Sequence, residues 1–97
     1  MYVLFQWDEA KNRRNKRKHK ISFELARGAF LDPFCLTVRD ASSSEEERLW
    51  TIGRLANSAV IEVVHTLSEH EEEEVIRIIS ARKATPRERK FYEEMEQ

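Results

Sequence analysis

A chain of 97 residues is one domain by length; 40% of its residues are hydrophobic, 36% are charged, and the formal net charge is −1. A domain of this size buries roughly two thirds of its unfolded surface, so one modest core must sit beneath a densely charged exterior. The apolar runs fall far short of the roughly 20 residues of a membrane span, and no signal-peptide pattern is present. The lone Cys35 excludes an internal disulfide and a cysteine-rich zinc site. These features fit a cytoplasmic protein with residues 1–97 as a single domain.

Residues 2–6 are apolar enough for a short edge strand. Asp8 can cap a helix running to about Lys18, because its carboxylate accepts a hydrogen bond from a free N–H of the first turn. This helix has no apolar stripe: Ala10 is the only apolar residue between Asp8 and Lys20. A helix polar all round must gain from something besides core burial, such as a ligand, a partner or its own charge pairs. Residues 11–20, KNRRNKRKHK, carry seven Lys or Arg and no acid. So local a basic block in a near-neutral chain suggests a polyanion site, against the ordinary alternative of a solvated helix face.

Ser22 caps a second helix, whose Phe23, Ala26 and Phe30 recur at helical spacing and form its core face. Asp32-Pro33 stops it. Residues 34–39 then alternate as a strand, with Phe34, Leu36 and Val38 on one face. A serine-rich polar loop at 41–46 leads to a strand over 48–55, with Arg48, Trp50, Ile52 and Arg54 on one face. Ala56-Asn57-Ser58 reads as a hairpin turn, followed by a β-branched strand over 59–66. The acidic stretch 68–74 is expected to be a longer hairpin loop. The last strand, 75–82, is expected to set Val75, Arg77, Ile79 and Ala81 against Ile76, Ile78, Ser80 and Arg82. Thr85-Pro86-Arg87-Glu88 is a capping box with proline at its preferred place, and it starts a helix with Phe91 and Met95 on one side. The pattern predicts an α+β fold: two N-terminal helices, an antiparallel sheet of about four main strands, and a C-terminal helix.

Conventional catalytic signatures are missing. The chain has only Gly28 and Gly53, so it lacks a glycine-rich phosphate loop, and His19, His65 and His70 are too scattered for a metal pattern. The informative residues are cations inside strands: Arg48, Arg54, Arg77 and Arg82. An arginine buried without a partner is costly, so each needs a carboxylate, solvent or a phosphate. Pairing with Glu47, Glu62 or Glu88 is the ordinary alternative for any one of them. For all four beside a basic helix, a phosphate-binding face competes with it. Such a face could cleave RNA with little else. The ribose 2′-OH is the nucleophile, and the protein need only move protons and stabilise charge on phosphate, without a cofactor or metal. His65, His19, Glu47 and Glu88 are the proton-transfer candidates. Arg48, Arg77 and Arg82 are the candidates for charge stabilisation. Lys11, Arg14, Lys18, His19 and Arg54 are the candidates for holding RNA. For His65, packing within the sheet is at least as good a reading. Trp50 and Tyr92 could stack on a base, although Trp in a strand is more often core.

Trp7-Asp8, Lys11, Asn15, Lys18-His19 and Ile21-Ser22-Phe23 resemble the opening of the BrnT toxin family. Phe30-Leu31-Asp32-Pro33, Glu47-Arg48, Ile52-Gly53, the block from Ile76 to Ala84, Glu88-Arg89 and Tyr92 continue the resemblance over nearly the whole chain. It implies a RelE-like fold and metal-independent RNA cleavage that blocks translation, leaving 2′,3′-cyclic phosphate ends. It also implies neutralisation by a BrnA-type antitoxin, in a heterotetramer built on an antitoxin dimer that alone touches operator DNA. Carried over by position, Glu47, Arg48, Arg77, Arg82 and Glu88 are its active-site contributors.

Two positions depart from the family pattern. Lys20 stands where Gly commonly follows Lys-His, and Leu67-Ser68-Glu69-His70 stands where an arginine is common. In the second place, His65 or His70 could substitute. The departures keep open a toxin-fold protein that has lost catalysis and acts as an antitoxin-binding co-repressor, and the basic run 11–20 keeps open a direct nucleic-acid-binding module.

Overall fold

In the computed structural model, which describes residues 2–40 and 47–96, the chain opens with strand β1 (Tyr2–Gln6) and helix α1 (Glu9–His19). One helical turn, α2 (Phe23–Ala26), runs into a three-ten helix at Arg27–Leu31. Strands β2 (Leu36–Arg39), β3 (Leu49–Arg54), β4 (Val60–His70) and β5 (Glu73–Lys83) follow, and α3 (Pro86–Met95) ends the fold. The polar loop expected at 41–46 lies outside the described residues. Among the described residues, no helix is long and apolar enough to cross a membrane.

The class is α+β, as expected, but the sheet is mixed and has five strands in the order β1-β5-β4-β3-β2. β1 runs parallel to β5, from Tyr2 opposite Glu73 to Gln6 opposite Arg77. The other pairs are antiparallel. A parallel neighbour cannot be joined by a tight turn. The partner of β1 therefore lies at the far end of the chain, beyond the reach of local patterning. The acidic stretch 68–74 is also not a loop. β4 extends to His70 and β5 begins at Glu73, with Glu71-Glu72 as a two-residue turn and Glu71 in the left-handed region at φ 57°. Strand pairing uses the backbone, and these acidic side chains are mostly exposed, so their charge does not prevent it. Phe34 and Cys35 fall in a turn rather than in β2, because Asp32 Oδ1 accepts from Phe34 N at 2.9 Å and Asp32 O accepts from Cys35 N at 3.0 Å.

One face of the sheet carries the main core: Ile21, Phe23, Ala26, Ala29, Leu55, Ile61, Val63, Ile76, Ile78 and Ala81, with Phe5, Trp7 and Phe30 packed around it. The helical segment from Ser22 closes this face. Its tight turn lies directly on β3, where a Cβ on Gly53 would come within 2.5 Å of the Ala29 carbonyl oxygen. Only glycine permits that approach.

The polar helix α1 is held on the same face by two buried asparagines. Asn15 Nδ2 donates to Ala81 O at 2.7 Å and to Ile21 O at 2.9 Å, while its Oδ1 accepts from Ala81 N at 3.1 Å. Asn12 Oδ1 accepts from Phe23 N at 2.8 Å, and its Nδ2 donates to Glu24 and Glu9. Hydrogen bonds to backbone thus replace the missing apolar stripe. The helix ends on Lys20 at φ 63°, whose N–H reaches Lys16 O at 2.9 Å, so the left-handed close forms without glycine.

The opposite face, here the outer face, is partly covered by α3. Its small core is Ile52, Val60 and Tyr92, with Ala84 against it. α3 packs through Tyr92, which is 1% exposed, and not through Phe91 and Met95, which are 44% and 57% exposed. Three bonds fix this arrangement: the Tyr92 hydroxyl donates to Asp32 Oδ2, which also accepts from Arg54 N at 2.7 Å, and Asp32 Oδ1 accepts from Phe34 N. Burial works to raise the Asp32 carboxyl, but these bonds outweigh it and hold it below its ordinary value.

Candidate active site

The site is organised by a bulge in β5. Val64 pairs with Ser80 but His65 pairs with Ile78, so Ile79 is an extra residue without a partner in β4. Strict alternation would put Arg77 and Arg82 on opposite faces. One inserted residue reverses the parity after it. Ala81 therefore joins Ile76 and Ile78 in the core, and Arg77 and Arg82 share the outer face.

Cross-strand rows on that face follow from the register. Leu36, Ile52, Glu62 and Arg82 form one row; Val38, Trp50, Val64 and Ser80 form the next; Thr66 and Arg77 begin a third, which Gln6 extends on β1. Arg77 is exposed at one end of this surface, and Arg82, half-buried, lies at the other. By strand rise they are about 13 Å apart along β5.

Arg82 is held from two sides. Its guanidinium makes a fork with Glu88, Nη1 to Oε1 at 2.9 Å and Nη2 to Oε2 at 3.1 Å, and its Nη2 lies 3.1 Å from Glu62 Oε1. Glu88 is itself placed by the capping box, where its Oε1 accepts from Thr85 N at 2.8 Å while Thr85 Oγ1 accepts from Glu88 N at 3.1 Å. The helix start predicted from TPRE thus also aims a carboxylate at the last strand. Glu62 is 2% exposed, and its Oε2 receives no hydrogen-bond donor among the described residues. Trp50 Nε1, in the adjacent row, is likewise buried without an acceptor among them.

One guanidinium cannot neutralise two close carboxylates in a buried setting, and one of them keeps a proton. Burial, then the bond to Glu88, pushes Glu62 up to about 8 against the pull of Arg82. Burial also works to raise Glu88, but the bonds from Glu62, Arg82 and Thr85 N prevail and bring it down to about 2. The pair therefore holds one shared proton at neutral pH, chiefly on Glu62.

The other expected site residues are scattered. His65 lies on the core face, 2% exposed, with Phe30 edge-on at 5.0 Å and its Nε2 2.7 Å from Thr51 Oγ1. Burial lowers its pKa, and the sheet separates it from the arginines. Arg54 is on the outer face but spoken for: it lies over the Tyr92 ring at 5.5 Å, donates to Ser58 O at 3.1 Å, and pairs with Glu96 at 3.3 Å. Tyr92 is buried beneath it and presents no face to a base. Glu47 is exposed and paired with Arg39, and Arg48 beside it is exposed at the entry to β3. Lys11, Arg14 and Lys18 are exposed on α1, and His19 is half-buried at its end. That helix packs against the core face of β5, so the basic block and the Arg77–Arg82 surface lie on opposite sides of the sheet.

Glu62 was legible in sequence only as a possible partner for an arginine. The stronger signal was its position as a lone carboxylate within the β-branched run Val60–Val64.

Comparison with known proteins bears on this arrangement. No curated protein matches the chain by sequence. Among solved structures, the chain is similar to the crystal structure of the Brucella abortus ribonuclease toxin BrnT. The two are 23% identical, the match covers 88% of this chain and 99% of that one, and the TM-score is 0.54. That likeness concerns the fold. A family model described as the ribonuclease toxin BrnT of type II toxin–antitoxin systems matches residues 7–88, from the Trp7-Asp8 that opens α1 to the Glu88 that grips Arg82. With most of its length matched in this way, the chain belongs to the BrnT family of type II toxin–antitoxin toxins.

Proposed function

We propose that this chain is a metal-independent endoribonuclease whose outer sheet face binds the RNA backbone and cleaves it. The observation that carries this reading is the placement of Arg77 and Arg82 on one face, with Arg82 held in a planar fork by Glu88. A guanidinium fixed in this way presents its charge without reorganisation as charge builds on phosphate. In the reaction the 2′-oxygen forms a bond to the adjacent phosphorus and the bond to the 5′-oxygen breaks. The 2′-OH loses a proton and the leaving oxygen gains one, giving 2′,3′-cyclic phosphate and 5′-hydroxyl ends. Arg82 and Arg77 stabilise the phosphate, and Glu88 positions Arg82. Arg48 and Glu47, exposed where the chain enters β3, are the further contributors. His65 has no part in this reading, because it is enclosed in the core.

Family membership further supports an antitoxin partner. In this reading it is a BrnA-type protein whose dimer holds two toxins and contacts operator DNA, and free toxin arrests growth in the cytoplasm by blocking translation. The exposed cations of α1 are available to RNA or to that partner.

One observation favours a second reading, a binding-only family member: Arg82 already has two carboxylate partners. Incubating pure protein with RNA in excess chelator separates the two. Fragments with 2′,3′-cyclic phosphate ends are expected. RNA left intact across salt and pH overturns the ribonuclease reading and favours the binding-only one.

A further inference from the structure

The Glu62–Arg82–Glu88 cluster contains a feature that charge stabilisation alone does not use: a second carboxylate beneath the arginine, 2% exposed, whose Oε2 receives no hydrogen-bond donor among the described residues. Glu62 lies opposite Arg82 on β5, which Glu88 already holds in a fork. Its neighbours on the outer face are Val60 and Val64, and the residue opposite on β3 is Ile52. A valine would fill the same row without the cost of burying a charge.

We propose that Glu62 is a positioning residue that gates Arg82, holding a proton shared with Glu88 while phosphate is bound and, on losing it, closing Arg82 to phosphate. This rests on the reading that Arg82 takes the RNA phosphate.

With the shared proton in place, Arg82 faces one full negative charge, on Glu88, and Glu62 is a neutral acid bonded to both. The site is then neutral overall, and an incoming phosphate meets the guanidinium without net repulsion. Once the proton leaves, two carboxylates surround one guanidinium, and a phosphate must approach a site with a net negative charge. Among the described residues, Glu88 from α3 and Asp40 after β2 oppose the ionisation of Glu62, and Arg82 from β5 favours it. β3 opposite presents Ile52 and, one row on, Trp50. The proton lies in a range where cytoplasmic pH and the approach of substrate charge both move it.

The test is the pH dependence of binding to an RNA oligonucleotide with methylated 2′-oxygens, which cannot be cut. If only the protonated pair admits phosphate, affinity falls about tenfold between pH 7 and pH 9. Glu62→Gln keeps the amide in the place of the neutral acid, and its curve is expected to stay flat over the same range. The same slope in Glu62→Gln, or no slope in the parent protein, overturns the gate. Binding that survives Arg82→Ala with its slope intact also overturns it, as does an oligonucleotide that binds at no pH. Binding with the expected slope, but with no cleavage of natural RNA, instead overturns only the ribonuclease reading. A measurement on the parent protein covers the case in which a variant fails to fold. The Glu62 carboxyl carbon, followed by NMR, is expected to titrate near pH 8, and titration below about pH 5, as in an ordinary carboxylate, overturns the shared proton.

Discussion

Asn15 pairs with both backbone groups of Ala81, donating to its carbonyl at 2.7 Å and accepting from its N–H at 3.1 Å. One side chain thus ties the basic helix to the strand residue that precedes Arg82, just past the bulge at Ile79. These are buried bonds, so deleting the amide leaves both backbone groups unsatisfied. Asn15→Ala is expected to cost about 3 kcal/mol of stability. Asn15→Asp is expected to be no better, because a carboxylate cannot donate to the Ala81 and Ile21 carbonyls. Urea unfolding of the two variants measures this, and a loss below about 0.5 kcal/mol would show that α1 is held by something else.

Lys20 sits at φ 63° at the end of α1, a conformation that disfavours any residue with a Cβ. Lys20→Gly removes that strain and is expected to raise stability by about 1 kcal/mol, seen as a higher midpoint in thermal or urea unfolding. A lower midpoint would mean that the lysine side chain makes a contact worth more than the strain.

The two carboxylates around Arg82 give stability opposite pH trends. Glu62 releases its proton near 4.5 when unfolded and near 8 when folded, so between these values the folded state holds the extra proton. Its contribution is complete below about 4.5 and is lost as pH rises through about 8, at up to about 1.4 kcal/mol per pH unit. Glu88, brought down to about 2, contributes above 4.5 and loses its contribution as pH falls towards 2. Glu62→Gln should therefore gain stability relative to the parent as pH rises from 5 to 8. Parallel stability curves for the two proteins over this range would contradict the shared proton.

What could be read from the sequence was whatever local chemistry decides. The caps at Asp8, Ser22 and Thr85 all form as expected, because each needs only a side chain and the next three residues. The β-branched strands were legible for the same reason. Three features depended on distant partners. β1 pairs with β5, some seventy residues on, in a parallel register that no turn announces. The asparagines of α1 read as two more polar residues until the strand they bond to is in place. The bulge at Ile79 has no signature in VIRIISAR, yet it puts Arg77 and Arg82 on one face where simple alternation separates them. The candidate site divided likewise. Arg82 and Glu88 were found as separate residues and are joined in one fork. Glu62 was underrated because its burial, at 2% exposure, comes from tertiary packing that its strand pattern does not encode. His65 and Arg54 were sensible candidates by residue type, but packing committed one to the core and the other to Tyr92 and Glu96.

In the proposed mechanism the chemistry belongs to the outer face of the sheet and not to the basic helix. The most direct measurement compares the rates of RNA cleavage by Arg82→Ala and by a triple variant, Lys11→Ala, Arg14→Ala and Lys18→Ala, with folding of each verified by its unfolding midpoint. Arg82→Ala is expected to lower kcat by about a hundredfold or more, the scale of losing a preorganised donor to a developing oxyanion. The triple variant should raise KM with little change in kcat. Full cleavage by Arg82→Ala, with cleavage abolished in the α1 variant, would contradict the account and move the active site to the other side of the sheet.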